Sequence, residues 1–83
     1  MKLEEVNRYL DQTLLQLQKD MSDDDFSELF HDVRDVHKFE GNHIYVIVPD
    51  ALTKFRIEKF YSKRMEEILQ SLAPKPFRYK FIT

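Results

Sequence analysis

The 83-residue chain contains no cysteine, a single glycine and only three prolines. Without cysteine it can form neither a disulfide framework nor a thiolate metal site, which fits a reducing compartment. One glycine leaves no glycine-rich loop to cradle phosphate groups. No stretch approaches the roughly 20 apolar residues of a membrane-spanning helix, and the N-terminus lacks the apolar region of a signal peptide. We therefore expect a soluble, cytoplasmic protein that does not bind membranes.

The hydrophobic content of 42% and the aromatic content of 13% are too high for a disordered chain. The length suits one domain, residues 1–83, with one modest core. Charge is unevenly distributed, with a net charge of −6 over residues 1–42 and +4 over residues 43–83. Opposite poles favour electrostatic steering or head-to-tail association, although small charged domains also acquire them by chance.

Apolar residues from Leu3 to Lys19 recur at helical spacing, which predicts a first helix. Four of them, Leu3, Val6, Leu10 and Leu17, also fit a short heptad-like seam. If the domain leaves this seam uncovered, it forms a surface for weak pairing with a second copy. The alternative is that the whole stripe belongs to the core.

A second, short helix is predicted from Ser22, which can cap it, to about His31. The run Asp23–Asp25 places negative charge at the positive end of the helix dipole. We favour this interpretation over a metal or catalytic cluster, because adjacent helical positions point in different directions.

The apolar period changes to two between Arg34 and Val48, around the turn Glu40-Gly41-Asn42, which predicts a β-hairpin. Its second strand is apolar on both sides, so we expect it at the centre of the sheet. A third strand, Phe77–Ile82, alternates inward aromatic residues with outward Arg78 and Lys80.

The stretch from Asp50 to Leu72 predicts one long helix, with Asp50 as its N-cap. Its core face contains Ile57, Tyr61, Met65, Ile68 and Leu72, with Phe60 at the edge. The opposite face brings Leu52 together with Arg56, Lys59 and Lys63, and Phe55 lies between the two faces. An apolar residue among cations indicates a contact surface; equally, a neighbouring loop could cover Leu52.

The predicted order α-α-β-β-α-β is that of an α+β domain, with a three-stranded sheet and helices packed on one face. Its residues suggest no enzyme, cofactor or metal site: His31, His37 and His43 match neither a helical pair nor a zinc-ligand spacing. Cations on the third helix and the third strand suggest weak, salt-sensitive binding of single-stranded nucleic acid instead. They are Arg56, Lys59, Lys63, Arg78 and Lys80.

Three segments resemble the N-terminal (first) domain of the bacterial replication initiator DnaA, and the resemblance covers nearly the whole chain. The sequence from Asp25 to Phe30 is similar to the family's E-F-x-x-W-[IL] on its short second helix. The sequence from His43 to Asp50 is similar to L-x-[IV]-x-[AV]-P-N, and Tyr61 stands at the place of the family's R/K-Y on the third helix. The chain departs from the pattern at three positions. Leu29 stands where the family usually has Trp, Asp50 where it usually has Asn, and Arg56 where an aromatic or apolar residue is common.

The resemblance implies a KH-like domain that works by protein contact in DNA replication initiation. In this family the domain self-associates through its first helix, helps to load the replicative helicase (DnaB type), docks regulators and touches single-stranded DNA weakly. By position, it implies self-pairing at Leu10 and helicase contact at Asp25 and Leu52. The ATPase and duplex-binding domains of an initiator are missing, so we expect a fragment or a small homologue from a phage, plasmid or other mobile replicon.

These observations predict a non-catalytic protein-interaction module. The predicted partner surface contains Asp25, Leu52, Phe55 and Arg56, and the predicted weak self-association surface contains Leu3, Val6 and Leu10. The alternative is a module that binds single-stranded nucleic acid through the five cations named above.

Overall fold

The computed structural model describes residues 2–33 and 36–83. The elements are α1 (Leu3–Asp20), α2 (Asp23–Phe30), β1 (Val36–Glu40), β2 (His43–Ile47), α3 (Ala51–Phe60), α4 (Ser62–Leu72) and β3 (Arg78–Ile82). The predicted α+β class is confirmed. The expected start of the hairpin at Arg34 lies outside the described residues.

The sheet has the order β1-β2-β3, which confirms that β2 is the central strand. β2 pairs antiparallel with β1 and parallel with β3. The hairpin turn contains Gly41 at φ +61°, in the left-handed region that favours glycine. The parallel pair requires a long crossover, which α3 and α4 supply.

One face of the sheet forms the core with the helices, and α1 and α4 are the main elements on it. The alternation predicted for β3 is confirmed, because Phe77, Tyr79 and Phe81 are all buried. The helices contribute Val6, Leu10, Leu17, Leu29, Phe30, Ile57, Met65, Ile68 and Leu69 to the same core. Each such side chain stabilises the fold by about 1.5–3 kcal/mol relative to its exposed state.

The caps predicted for two helices are confirmed. The backbone N–H of Asp25 donates to the Ser22 hydroxyl at 3.2 Å, and that of Thr53 donates to the Asp50 carboxylate at 2.7 Å. Backbone hydrogen bonds hold the pKa of Asp50 below its usual value, because they stabilise the ionised carboxylate. These bonds fix where α2 and α3 begin, and therefore which side each residue faces.

The single long helix predicted from Asp50 to Leu72 is wrong, because it divides at Tyr61. The backbone of Tyr61 has φ −126° and ψ −17°, outside the helical range. The Ser62 hydroxyl donates to the Glu58 carbonyl at 2.8 Å, a bond to the residue four positions back that bends helices. Phe60, expected at the edge of the core stripe, is the last residue of α3 and is 65% exposed.

The self-association surface predicted on α1 is wrong at two of its three residues. Val6 and Leu10 are completely buried, whereas Leu3 is 46% exposed. The physical reason is that α1 packs along α4 and β1, which cover the seam. These two side chains stabilise the monomer and are not available to a second copy of the folded domain.

Candidate protein-docking surface

Exposed apolar side chains are concentrated on α3. Leu52 and Phe55 are 67% and 57% exposed, and Phe60 at the end of the helix is similarly open to solvent. Ile57 is the residue of this helix that is buried in the core. The prediction that Leu52 points away from the core is therefore confirmed, and the alternative that a loop covers it is wrong.

The exposed rings of α3 surround a cation. The Lys59 Nζ lies 5.5 Å from the centroid of the Phe55 ring and 5.4 Å from that of Phe60. An ammonium group over an aromatic face is attracted by the ring quadrupole, so these contacts favour one position for a flexible side chain. We call Leu52, Phe55, Lys59 and Phe60 the α3 surface. Chemically, it can receive apolar side chains together with a carboxylate.

Beside the α3 surface, an ion pair joins α3 to α2. Arg56 donates to the Glu28 carboxylate at 3.0 Å. Glu28 follows Asp25 by three residues and Arg56 follows Leu52 by four, so each pair shares one side of its helix. The predicted partner residues Asp25, Leu52, Phe55 and Arg56 therefore lie on two helices that this exposed ion pair links. Arg56 is already engaged within the molecule.

The five cations predicted to bind nucleic acid do not form one surface. Arg56, Lys59 and Lys63 belong to the helical layer. Arg78 and Lys80 alternate with buried residues of β3, so they point to the side of the sheet away from the helices. The core separates the two groups, and the predicted basic patch is thus divided.

The sheet side that faces away from the helices places two of the predicted cations, Arg78 and Lys80, beside residues that the sequence did not group with them. Register pairs Tyr45 with Lys38 on one side and Lys80 on the other. Their Nζ atoms lie 4.7 Å and 5.8 Å from the centroid of the Tyr45 ring. The His43 ring is 6.3 Å from that of Tyr45, and Arg78 is the partner of His43 in β3. We call Lys38, His43, Tyr45, Arg78 and Lys80 the open sheet face.

Inside the core, two hydroxyl groups form a hydrogen-bonded chain. The Thr13 hydroxyl donates to the Tyr9 carbonyl at 2.8 Å and lies 2.8 Å from the Tyr79 hydroxyl. Since Thr13 has one hydroxyl proton, Tyr79 donates the second bond. Burial raises the pKa of Tyr79 above its usual value. This chain holds α1 against β3.

Within residues 2–33 and 36–83, no three His, Asp or Glu side chains are close enough together to hold a metal ion. The same residues include no helix with the length and apolar character needed to cross a bilayer. Neither a scan against protein-family models nor a search of curated proteins finds a match to this chain.

Proposed function

We propose that this chain is a non-catalytic, cytoplasmic protein-interaction module that acts in DNA replication initiation. Its α3 surface docks a replicative helicase or a replication regulator. The observation that carries the docking role is the exposure of Leu52, Phe55 and Phe60 on one ten-residue helix. The resemblance to the first domain of DnaA supports the replication context.

The energetics support a docking role for these side chains. An apolar side chain of this size gains about 1.5–3 kcal/mol when a partner removes it from water. Lys59 among the apolar groups adds a charge that can select a partner bearing a carboxylate. The Arg56–Glu28 pair links α3 to α2, the helix that carries Asp25, and supplies polar groups of the kind found at the rim of protein interfaces.

Replacing Leu52 with alanine tests the docking role. Because Leu52 is mostly exposed, Leu52→Ala should change the melting temperature by no more than a few degrees. Loss of a central anchor of about 2 kcal/mol should weaken partner binding about 30-fold. Calorimetry measures the melting temperature, and titration against a purified replicative helicase measures the affinity.

Leu3→Ala is the matched control, because Leu3 is an exposed leucine on another helix. It should bind the helicase as the unchanged domain does. The docking role would be contradicted if Leu52→Ala unfolded the domain, or if both variants bound with equal affinity. A protein recovered by pull-down from the source cell replaces the helicase if the latter does not bind.

A second candidate function is binding of single-stranded nucleic acid, and the open sheet face favours it. Tyr45 offers an aromatic ring at the centre of a strand, with Lys38 and Lys80 beside it. Stacking of a base on such a ring contributes about 1–3 kcal/mol and tolerates any sequence. Lys80 and Arg78 supply positive charge for phosphates, so two of the five predicted cations belong to this face.

Tyr45→Val tests this candidate, because valine retains strand preference but offers no ring for stacking. Binding of a fluorescent oligothymidine at low ionic strength should weaken about tenfold. The affinity of the unchanged domain should fall steeply as salt is added. Lys63→Ala, on the helical layer, is the control and should leave binding nearly unchanged. A loss in Lys63→Ala without a loss in Tyr45→Val would place the binding site on the helices. Equal losses in both variants, or no binding at low salt, would contradict binding by the open sheet face.

A further inference from the structure

Ile47 is an exposed apolar residue that the α3 surface does not include. Among the large apolar side chains exposed in residues 2–33 and 36–83, it is the one that belongs to the sheet, and it is 46% exposed. It follows Tyr45 by two positions, so both side chains lie on the side of the sheet that faces away from the helices. Register pairs Ile47 with Ile82, which is partly exposed at the end of β3. An isoleucine pair therefore continues the open sheet face beyond Tyr45.

The open sheet face changes character along the parallel strands β2 and β3. Three cross-strand pairs follow one another on it, namely His43 with Arg78, Tyr45 with Lys80, and Ile47 with Ile82. Lys38 on β1 adds a cation, but the Glu40 carboxylate lies 3.6 Å from its Nζ and offsets its charge. The excess positive charge therefore comes from β3, beside Tyr45 and before it, and the face becomes apolar after Tyr45.

The spacing of these pairs suits two neighbouring bases of a single strand. Tyr45 and Ile47 are about 7 Å apart along the strand, so a base stacked on the Tyr45 ring leaves the next base over the isoleucine pair. Aliphatic side chains offer no ring for stacking, but they contact apolar groups on the edge of a base. The 5-methyl group of thymine is such a group, and apolar side chains recognise it in other nucleic-acid interfaces. Uracil lacks this methyl group.

We propose that the Ile47–Ile82 pair makes the open sheet face selective for 5-methylated pyrimidines, so that it binds thymine-bearing DNA more tightly than uracil-bearing strands. One base stacks on Tyr45, the methyl group of its neighbour packs on the isoleucine pair, and Arg78 and Lys80 attract the phosphates. Ile47 is then a specificity-determining residue. The inference rests on the second candidate function, since it takes the open sheet face to bind single-stranded nucleic acid.

Fluorescent oligothymidine and oligodeoxyuridine of equal length test this selectivity, because they differ only in the 5-methyl group. At low ionic strength the unchanged domain should bind oligothymidine about fourfold more tightly, which is the effect of removing one methyl group from water. Ile47→Thr retains strand preference and weakens the apolar contact. It should lower the ratio of the two affinities to about one by weakening the binding of oligothymidine, with the affinity for oligodeoxyuridine nearly unchanged.

Leu15→Thr is the matched control, because Leu15 is an exposed apolar residue of α1, away from the sheet. It should keep the fourfold ratio. Three results would overturn the selectivity while leaving nucleic-acid binding by the open sheet face in place: equal affinities in the unchanged domain, a ratio that survives Ile47→Thr, or an equal loss for both oligonucleotides in that variant. Failure of the unchanged domain to bind either oligonucleotide would instead remove the second candidate function, and the selectivity with it.

Discussion

At the scale of single residues, Thr13 and Tyr79 contribute unequally to the hydrogen-bonded chain in the core. Thr13 is completely buried, and its hydroxyl is shared between the Tyr9 carbonyl and the Tyr79 hydroxyl. Removing Thr13 leaves the Tyr79 hydroxyl without its partner. Removing the Tyr79 hydroxyl still leaves Thr13 donating to the helix backbone.

We therefore expect Thr13→Val to destabilise the domain more than Tyr79→Phe does. A buried hydroxyl left without a partner costs about 1–3 kcal/mol, whereas loss of a single hydrogen bond costs about 1 kcal/mol. Urea unfolding at neutral pH gives both free energies of unfolding. Equal losses, or a larger loss in Tyr79→Phe, would contradict the direction of the hydrogen bonds.

The pH dependence of the stability of the Tyr79→Phe variant tests the burial of the Tyr79 hydroxyl. Below the ordinary tyrosine pKa of about 10, the hydroxyl is protonated in both states and its contribution to stability is complete. Above that pH the unfolded chain ionises first, because burial raises the pKa of Tyr79 in the folded state. Stability is thus lost as pH rises from about 10 through the folded pKa, and Tyr79→Phe should lack this loss.

At the scale of elements, the hairpin depends on the backbone of one residue. Gly41 has φ +61°, and a Cβ added there would meet nothing within 4 Å. The cost of a side chain at this position is therefore conformational and not steric. Gly41→Ala should lower the free energy of unfolding by about 1 kcal/mol. Gly41→Asn should cost less, because asparagine tolerates the left-handed region, and equal stability of all three proteins would contradict this account.

Helix starts, the hairpin and the central position of β2 could be predicted because local chemistry decides them. The division at Tyr61 could not, since neither glycine nor proline interrupts the helical period there. It accompanies a hydroxyl bond from Ser62 and packing of the Tyr61 ring against Phe30, at 6.2 Å between centroids. Phe30 is distant in sequence, so no local pattern could report that contact.

Periodicity also failed to show which apolar stripe would be covered. Val6 and Leu10 fit a surface seam as well as a core stripe, and only the packing of α1 along α4 decides between them. For the candidate site, the outward position of Leu52 followed from the helical period. The contribution of Phe60 was missed because the period placed it at the edge of the core stripe, where periodicity alone does not decide between burial and exposure. Tyr45 was missed because its neighbours Lys38 and Lys80 are set by the register between strands. The sequence of a single strand does not determine that register.

At the scale of the whole molecule, helices on one side of the sheet separate two surfaces of different chemistry. The α3 surface belongs to the helical layer and the open sheet face to the other side, and the shortest dimension of the molecule is 20 Å. A body that occupies the helical side does not collide with one that lies along the strands. The two-layer architecture therefore permits both proposed surfaces to be occupied at the same time. We propose that, in such a state, the core of the domain would set the distance between a protein bound on the helical side and a nucleic-acid strand bound along the sheet.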